Sequence, residues 1–309
     1  MTDMEGVCGV KNFTDWVTPE GKHYLKGKQL LTAEVNAAAQ GFFAGGATEV
    51  HVVDGHGYGG IDPSDLDPRI TLRERLKHPA YPLYLNEGYD CICFVGQHAK
   101  SRTPFAQMPH SGDHNVISDR INGTEYGEFG VVCMCAEFYH VPCIFASGDL
   151  AFTREAKTIC PNIHTVAVKR GLVKDKPEDS DMLCGDDYIQ HFIKAKHLSL
   201  SKARQLIAET AEKALRDFIQ QPEKFYYLDL PRPPYFRVIE YRDRPDGKAY
   251  AFTSSHPEHP AELFNAPPQP AYPIRGRGYM NKEQYQQFLK SKTGWRIFCE
   301  SGAFWWRKN

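Results

Sequence analysis

The sequence predicts an α/β fold, with a mostly parallel sheet flanked by helices over residues 1–172 and a smaller α+β domain over 173–309, given to packing and oligomerisation. Three observations predict it. Short β-branched runs alternate with alanine-rich or amphipathic runs through the first half, the pattern of right-handed strand–helix–strand crossovers. The run 89–96 is apolar on both faces, as a strand covered by helices on each side would be. Beyond about residue 172 the alternation stops at a charged stretch, KDKPEDSD over 174–181, which reads as a surface connection.

In chain order, the opening Met1-Thr2-Asp3-Met4-Glu5-Gly6 reads as a strand end, where alternation would point both carboxylates to one side. Such a strand would ordinarily begin several residues earlier, which leaves room for a trimmed start and a lost leader. Residues 32–44 read as a helix, with Thr32 as N-cap and Gly45-Gly46 at the exit. The run 49–54 is a strand that ends in the glycine-rich loop carrying His56, and 89–96 is a strand that ends at Gln97-His98. Asn122-Gly123 between extended residues marks a hairpin, favoured over Asn122-x-Thr124 as a glycosylation acceptor. A buried helix over 131–138, a strand over 142–149, a helix over 150–159 and a strand over 164–169 follow. The clearest helix is 199–220: Ala203, Leu206, Ile207, Ala211, Ala214 and Phe218 share one face, while Glu209/Lys213 and Glu212/Arg216 pair on the other. Residues 236–241 read as a strand. The six prolines of 257–273 predict an extended or irregular segment, and Trp295, Trp305 and Trp306 predict a docked aromatic terminus.

Composition narrows the function classes. At 309 residues and 41% hydrophobic content the chain can bury a sizeable core. A formal charge of −1 and a pI near 6.9 supply no basic field for nucleic acid or anionic lipid, so small molecules and further copies of the chain are the expected partners. Nine cysteines fit neither a CxxC zinc pattern nor a disulfide framework, and they read as free buried thiols in a reducing cytoplasm. No apolar run is long enough to span a membrane.

Ligands in open α/β sheets gather beyond the carboxyl ends of strands. Glu5, His56 and His98 all fall at or just past such ends, and three strands would aim them at one crevice. With Asp3 and Glu128 they make three carboxylates and two imidazoles, a set suited to two divalent ions such as zinc, with manganese and cobalt also accommodated. Two dications, three carboxylates and one hydroxide sum to zero charge, so the site could be buried. His110 lies nearby in Met108-Pro109-His110-Ser111, with Asp113 and His114 as alternates. Each residue taken singly also has a structural reading: a loop histidine, a helix-start acid or, for Asp54, a strand-end acid in place of a support for His56.

Taken together, Met1-Thr2-Asp3-Met4-Glu5-Gly6, Asp54-Gly55-His56, Gly96-Gln97-His98-Ala99-Lys100, Met108-Pro109-His110-Ser111, Ile121-Asn122-Gly123 with Gly127-Glu128, Ser147-Gly148-Asp149 and Val168-Lys169-x-Gly171 resemble the ordered motif series of the DppA-type zinc D-aminopeptidases. The resemblance runs from residue 1 to about 171 and fades from about residue 222; the family's first strand is nearly absent. It implies a binuclear zinc centre held by Asp3, Glu5, His56, His98 and Glu128, with His110 as the catalytic histidine. It also implies a ring-like homo-oligomer, ten subunits in its fullest form, enclosing the active sites.

The expected chemistry is hydrolysis of short peptides or amides with an N-terminal D-amino acid. Two ions about 3.5–4 Å apart would share and activate a water, with Asp3 as bridging carboxylate, while His110 moves a proton. Two rival classes are a two-metal phosphoesterase, disfavoured because no arginine- or lysine-rich clamp accompanies the ligands, and a non-catalytic oligomeric scaffold with a structural metal.

Overall fold

A 22-residue helix near the amino terminus, Tyr24–Gly45, sets the first layer of the fold. The structure, a computed structural model, describes residues 1–73, 80–174, 177–181, 183, 185–242, 250–273, 279–281, 295–300 and 303–308. A one-turn helix α1 (Phe13–Trp16), capped by the Asn12 side chain accepting from the Asp15 N–H, precedes the long helix, α2. Helix α2 begins well before the expected Thr32, which is buried in its interior and whose hydroxyl accepts the Asp62 N–H. Its last turn stops at Gly46, with a φ of 112°.

Strands β1 (Val50–Val52), β2 (Ile70–Leu72) and β3 (Ile92–Gln97) follow. β1 and β2 pair in parallel. Met1–Asp3 lies between β1 and β3: Thr2 bridges in parallel to Asp54 on one side and Val95 on the other. β3 continues into a further sheet, in the order β3, β6 (Cys143–Asp149), β7 (His164–Gly171), β8 (Ala195–His197), with the first three parallel. Between them, β4 (Val116–Ile121) and β5 (Thr124–Glu125) form the expected hairpin, with Asn122 and Gly123 at φ of 50° and 88°.

Helix α3 (Glu128–Phe138) is nearly all buried, as its apolar sequence requires, and α4 (Leu150–Ile159) matches the expected span, capped by Asp149 accepting from the Phe152 N–H. Where a connection was expected, the chain forms α5 (Pro177–Asp181), followed by α6 (Gly185–His191). Helix α7 (Leu200–Gln220), capped by Ser199, buries Ala203, Ile207, Ala211, Ala214 and Leu215 against α2 and the sheet. Close approach of α2 and α7 requires Gly41, where a Cβ would sit 2.2 Å from the Ala208 carbonyl oxygen. Glu212 pairs with Arg216 as expected, but Lys213 pairs with Asp217 and not Glu209, because Gln205 takes the Glu209 carboxylate.

The remaining strands, β9 (Tyr235–Tyr241), β10 (Tyr250–His256), β11 (Gln269–Pro273) and β12 (Tyr279–Asn281), form an antiparallel sheet in the order β12-β11-β10-β9-β4-β5. The proline-rich 257–273 is therefore not irregular throughout: it contains α8 (Pro260–Asn265), with proline at its first position, and β11. The terminal strands β13 (Trp295–Glu300) and β14 (Ala303–Lys308) pair with each other; the docking expected of their tryptophan side chains lies outside the described residues. The architecture is thus mixed α/β: a parallel core covered by helices, plus an antiparallel sheet that joins C-terminal strands to β4.

Candidate metal centre

The Met1–Asp3 segment, β1 and β3 all end at one edge, and their ends deliver Asp3, His56 and His98 into one crevice. Gly96 makes the approach possible: its φ is 79°, and a Cβ there would lie 2.1 Å from the Asp3 carbonyl oxygen. Glu5 comes from the tight turn after Asp3, not from a strand end as expected, and the Gly6 N–H donates to the Gly96 carbonyl at 2.7 Å. Glu128 is the first residue of α3, and its Oε1 accepts the Gly112 N–H at 2.8 Å. His110 arrives on the segment after β3, its N–H donating to the Ala99 carbonyl. All six expected residues are brought together.

The orientation of the imidazoles is informative. His56 Nε2 lies 2.7 Å from the Val17 carbonyl, the residue that caps α1, so its proton belongs there. Nδ1 then faces Asp3 Oδ1 at 3.2 Å and Glu5 Oε2 at 3.3 Å. His98 Nδ1 lies 2.9 Å from the Ala99 carbonyl, and Nε2 faces Asp3 Oδ2 at 3.2 Å and Glu128 Oε1 at 3.5 Å. His110 repeats the arrangement, with Nδ1 on the Met108 carbonyl at 3.0 Å and Nε2 at 3.6 Å from Glu128 Oε1. Each ring anchors one nitrogen on a backbone carbonyl and turns the other toward carboxylate oxygens. A ring nitrogen set against anions needs positive charge between them, which a second ring proton or a metal ion in its place supplies.

The chemistry of the donor set therefore fits metal. Glu5 Oε2 and His98 Nε2 are buried without hydrogen-bond partners, and two overlapping groups, Asp3/Glu5/His98 and His98/His110/Glu128, each bring ligand atoms within 4.8 Å of one another. Burial works against charge on the His56 and His98 rings. The facing carboxylates, Glu5 and Asp3 for one, Glu128 and Asp3 for the other, outweigh it and hold both rings well above the ordinary imidazole value. The pocket attracts cations.

Several supporting residues were not singled out in the sequence. Gln97 Nε2 donates to Asp3 Oδ2 at 3.0 Å, and the Met4 N–H donates to Asp3 Oδ1 at 2.9 Å. The buried Lys169 ammonium donates to the carbonyls of Glu5 and Val10, and Glu34 Oε1 accepts the Cys8 N–H at 2.9 Å; both ends of the ligand-bearing turn are thereby held from behind. Burial shifts both groups, Glu34 up to about 7 and Lys169 down to about 8. Gln97 and Lys169 sit within the motifs quoted above, the one signal that could have found them. His114 stacks on His110 at 4.2 Å, and His110 on His98 at 3.8 Å. Asp54 is the strand-end acid expected as the alternative to a support for His56: its carboxylate accepts the Gly60 and Ile61 N–H groups.

Residues 1–176, which contain every one of these side chains, match the profile of the Peptidase_M55 family, described as D-aminopeptidase. This chain belongs to that D-aminopeptidase family. It is accordingly a hydrolase of the metallo-aminopeptidase class. It is 30% identical over 220 residues to the D-aminopeptidase of Bacillus subtilis (strain 168), an alignment covering 70% of this chain and 72% of that protein. Its structure is similar to the solved Zn-dependent D-aminopeptidase DppA from Bacillus subtilis, called a self-compartmentalizing protease, with a TM-score of 0.64 at 26% identity over 78% of this chain and 79% of that one. The family expected from the motif series is the family found. Among the described residues no helix is long and apolar enough to cross a membrane.

Proposed function

We propose that this member of the D-aminopeptidase family binds two zinc ions per chain through Asp3, Glu5, His56, His98 and Glu128, and hydrolyses short peptides or amides that begin with a D-amino acid. One observation carries the proposal: three imidazoles anchored on backbone carbonyls turn their free nitrogens into a single carboxylate cluster. Asp3, with an oxygen toward each of His56 and His98, would be held in common by the two ions. What a bound zinc pair supplies is Lewis-acid polarisation of a carbonyl and activation of water near neutral pH.

The chain's own groups do the rest. His110, with Nδ1 tied to Met108 and its ring clamped between His98 and His114, can move a proton only through Nε2. That nitrogen lies beside Glu128, at the rim of the cluster, where it can protonate a leaving amine. Glu128 is about a third exposed while Asp3 and Glu5 are buried, so substrate enters over Glu128 and His110. Residues 1–172 form the catalytic unit, with 173–309 given to packing and assembly into a closed homo-oligomer like the self-compartmentalizing relative.

Metal analysis by mass spectrometry, combined with turnover of D-Ala-D-Ala, D-Ala amide and their L counterparts, tests the proposal. Two zinc ions per chain and a preference for the D substrates are expected. Folded protein that holds no zinc, or that cleaves phosphate esters and leaves amides intact, would overturn it.

A further inference from the structure

A second group of metal-ligating side chains lies apart from the carboxylate crevice. Cys133 on α3, Cys143 at the start of β6 and Cys160 just past α4 bring their sulfurs within 4.8 Å of one another, each at most 3% exposed. They come from three elements, and their surroundings are apolar, including Val132, Val141 and Ile163 of the same core. The covering segment is fastened over them: the Tyr227 hydroxyl donates to the Val141 carbonyl at 2.6 Å and the Leu228 N–H to the Ile159 carbonyl at 2.7 Å.

We propose that Cys133, Cys143 and Cys160 form a three-sulfur site for a soft monovalent cation of the Cu(I) type, distinct from the zinc centre. Three donors arranged trigonally around an ion at about 2.3 Å place their sulfurs about 4 Å apart, so the observed spread closes with shifts of under about 1 Å. Softness selects the ion, since the group contains thiols alone, with no carboxylate or imidazole among the three. Coordination number selects against zinc, which in structural sites takes four ligands where this group offers three. Burial raises the Cys133 and Cys143 thiols, so both are protonated until an ion arrives, while at Cys160 hydrogen bonds with these two outweigh burial and hold the thiol down to about 5. Binding forms three copper–sulfur bonds from an ion already in the Cu(I) state and releases one proton to solvent. Two thiolates, one thiol and one monovalent cation then leave a single net charge in the core, with no oxidant or reductant required.

The neighbouring strand carries two further thiols. Cys91 and Cys93 are half-buried and line a cavity of about 610 Å³, while Ile92 between them is the register partner of Cys143. The bound ion ties together α3, β6 and α4. Because α3 begins at Glu128, the clamp stiffens the base of the catalytic crevice from outside it.

The test uses the full chain with its carboxylate site loaded with zinc, titrated without oxygen with the Cu(I)–bicinchoninate complex. One Cu(I) per chain should be withdrawn from the competitor, with a sulfur-only shell by X-ray absorption and a raised melting temperature. Cys133→Ala and Cys160→Ala, checked for folding by circular dichroism, should each weaken capture by about 10- to 100-fold or more. Cys135→Ala should not. No withdrawal of copper overturns the proposal, as does a nitrogen or oxygen shell, or unchanged capture by Cys133→Ala and Cys160→Ala. The trio is then core packing alone.

Discussion

Asp3 stands between two histidines that follow different strands, with Oδ1 3.2 Å from His56 Nδ1 and Oδ2 3.2 Å from His98 Nε2. No other carboxylate in the site faces both rings in this way. Replacing Asp3 by Ala should therefore lower bound metal to about one ion per chain or less and remove activity, because each ion loses a charged ligand. Metal content by mass spectrometry and the rate on D-Ala amide are the measurements. Two retained ions would rule out the bridging role.

His110 is held by contacts independent of metal, namely the Met108 carbonyl and the stacked rings of His98 and His114. His110→Ala should leave metal content near that of the parent while kcat falls by about 10²- to 10⁴-fold, the usual range for a lost proton-transfer group. Loss of metal in parallel with activity would make it a ligand instead.

Gln97 touches Asp3 and no substrate-facing atom, since its amide donates to Asp3 Oδ2 from the end of β3. Gln97→Leu keeps the volume and removes the donor. A drop in metal affinity of about 10- to 100-fold with an intact fold is expected, read by competition with a chelator.

Gly96 permits the backbone of β3 to meet the ligand turn. A side chain at φ 79°, with its Cβ 2.1 Å from the Asp3 carbonyl oxygen, must displace one segment or the other. Gly96→Ala should cost about 1–3 kcal/mol or more from strain and clash, and should lower metal content as well, whereas Gly57→Ala, in open space, should do neither. Thermal melts with and without zinc measure both effects.

His197 supplies a pH dependence away from the metal site. Its Nδ1 accepts the Gly9 N–H at 3.1 Å, and burial, aided by Lys169 and Lys11, holds the ring down to about 4. Between about pH 6.5 and 4 the unfolded chain binds a proton there that the folded chain refuses, so stability declines as pH falls through that window. The full effect is about 3 kcal/mol at most, before solvent screening. His197→Asn, which keeps an acceptor for Gly9, should flatten the difference in melting temperature between pH 7 and pH 4 relative to the parent protein. Parallel curves would remove His197 from the account.

Local chemistry made much of the fold legible. Helix 199–220 was readable because its apolar face and its charged pairs are encoded in adjacent residues, whereas the caps Asp149 and Ser199 emerge only in the structure. The Asn122-Gly123 turn was readable because both residues tolerate positive φ. The true start of α2 was not, since Thr32 looks like a cap until Asp62, thirty residues on, is seen to claim its hydroxyl. Likewise, Pro257 to Pro273 read as extended or irregular chain: β10 supplies a partner for the extended Gln269–Ala271, whereas the helix Pro260–Asn265 was not foreseen.

For the candidate metal centre, the chain itself determined the identities: three acids and three histidines in an ordered set of motifs, several of them at or just past strand ends. Tertiary structure decided which ring nitrogen faces inward, because that choice depends on carbonyls at Val17, Ala99 and Met108 that fold alongside the rings. It also decided that Glu5 comes from a turn held by Lys169, and that three cysteines spread over 28 positions meet in one core. Residue type is a local property, whereas the direction of a lone pair is set by whatever the fold places against the opposite side of the ring.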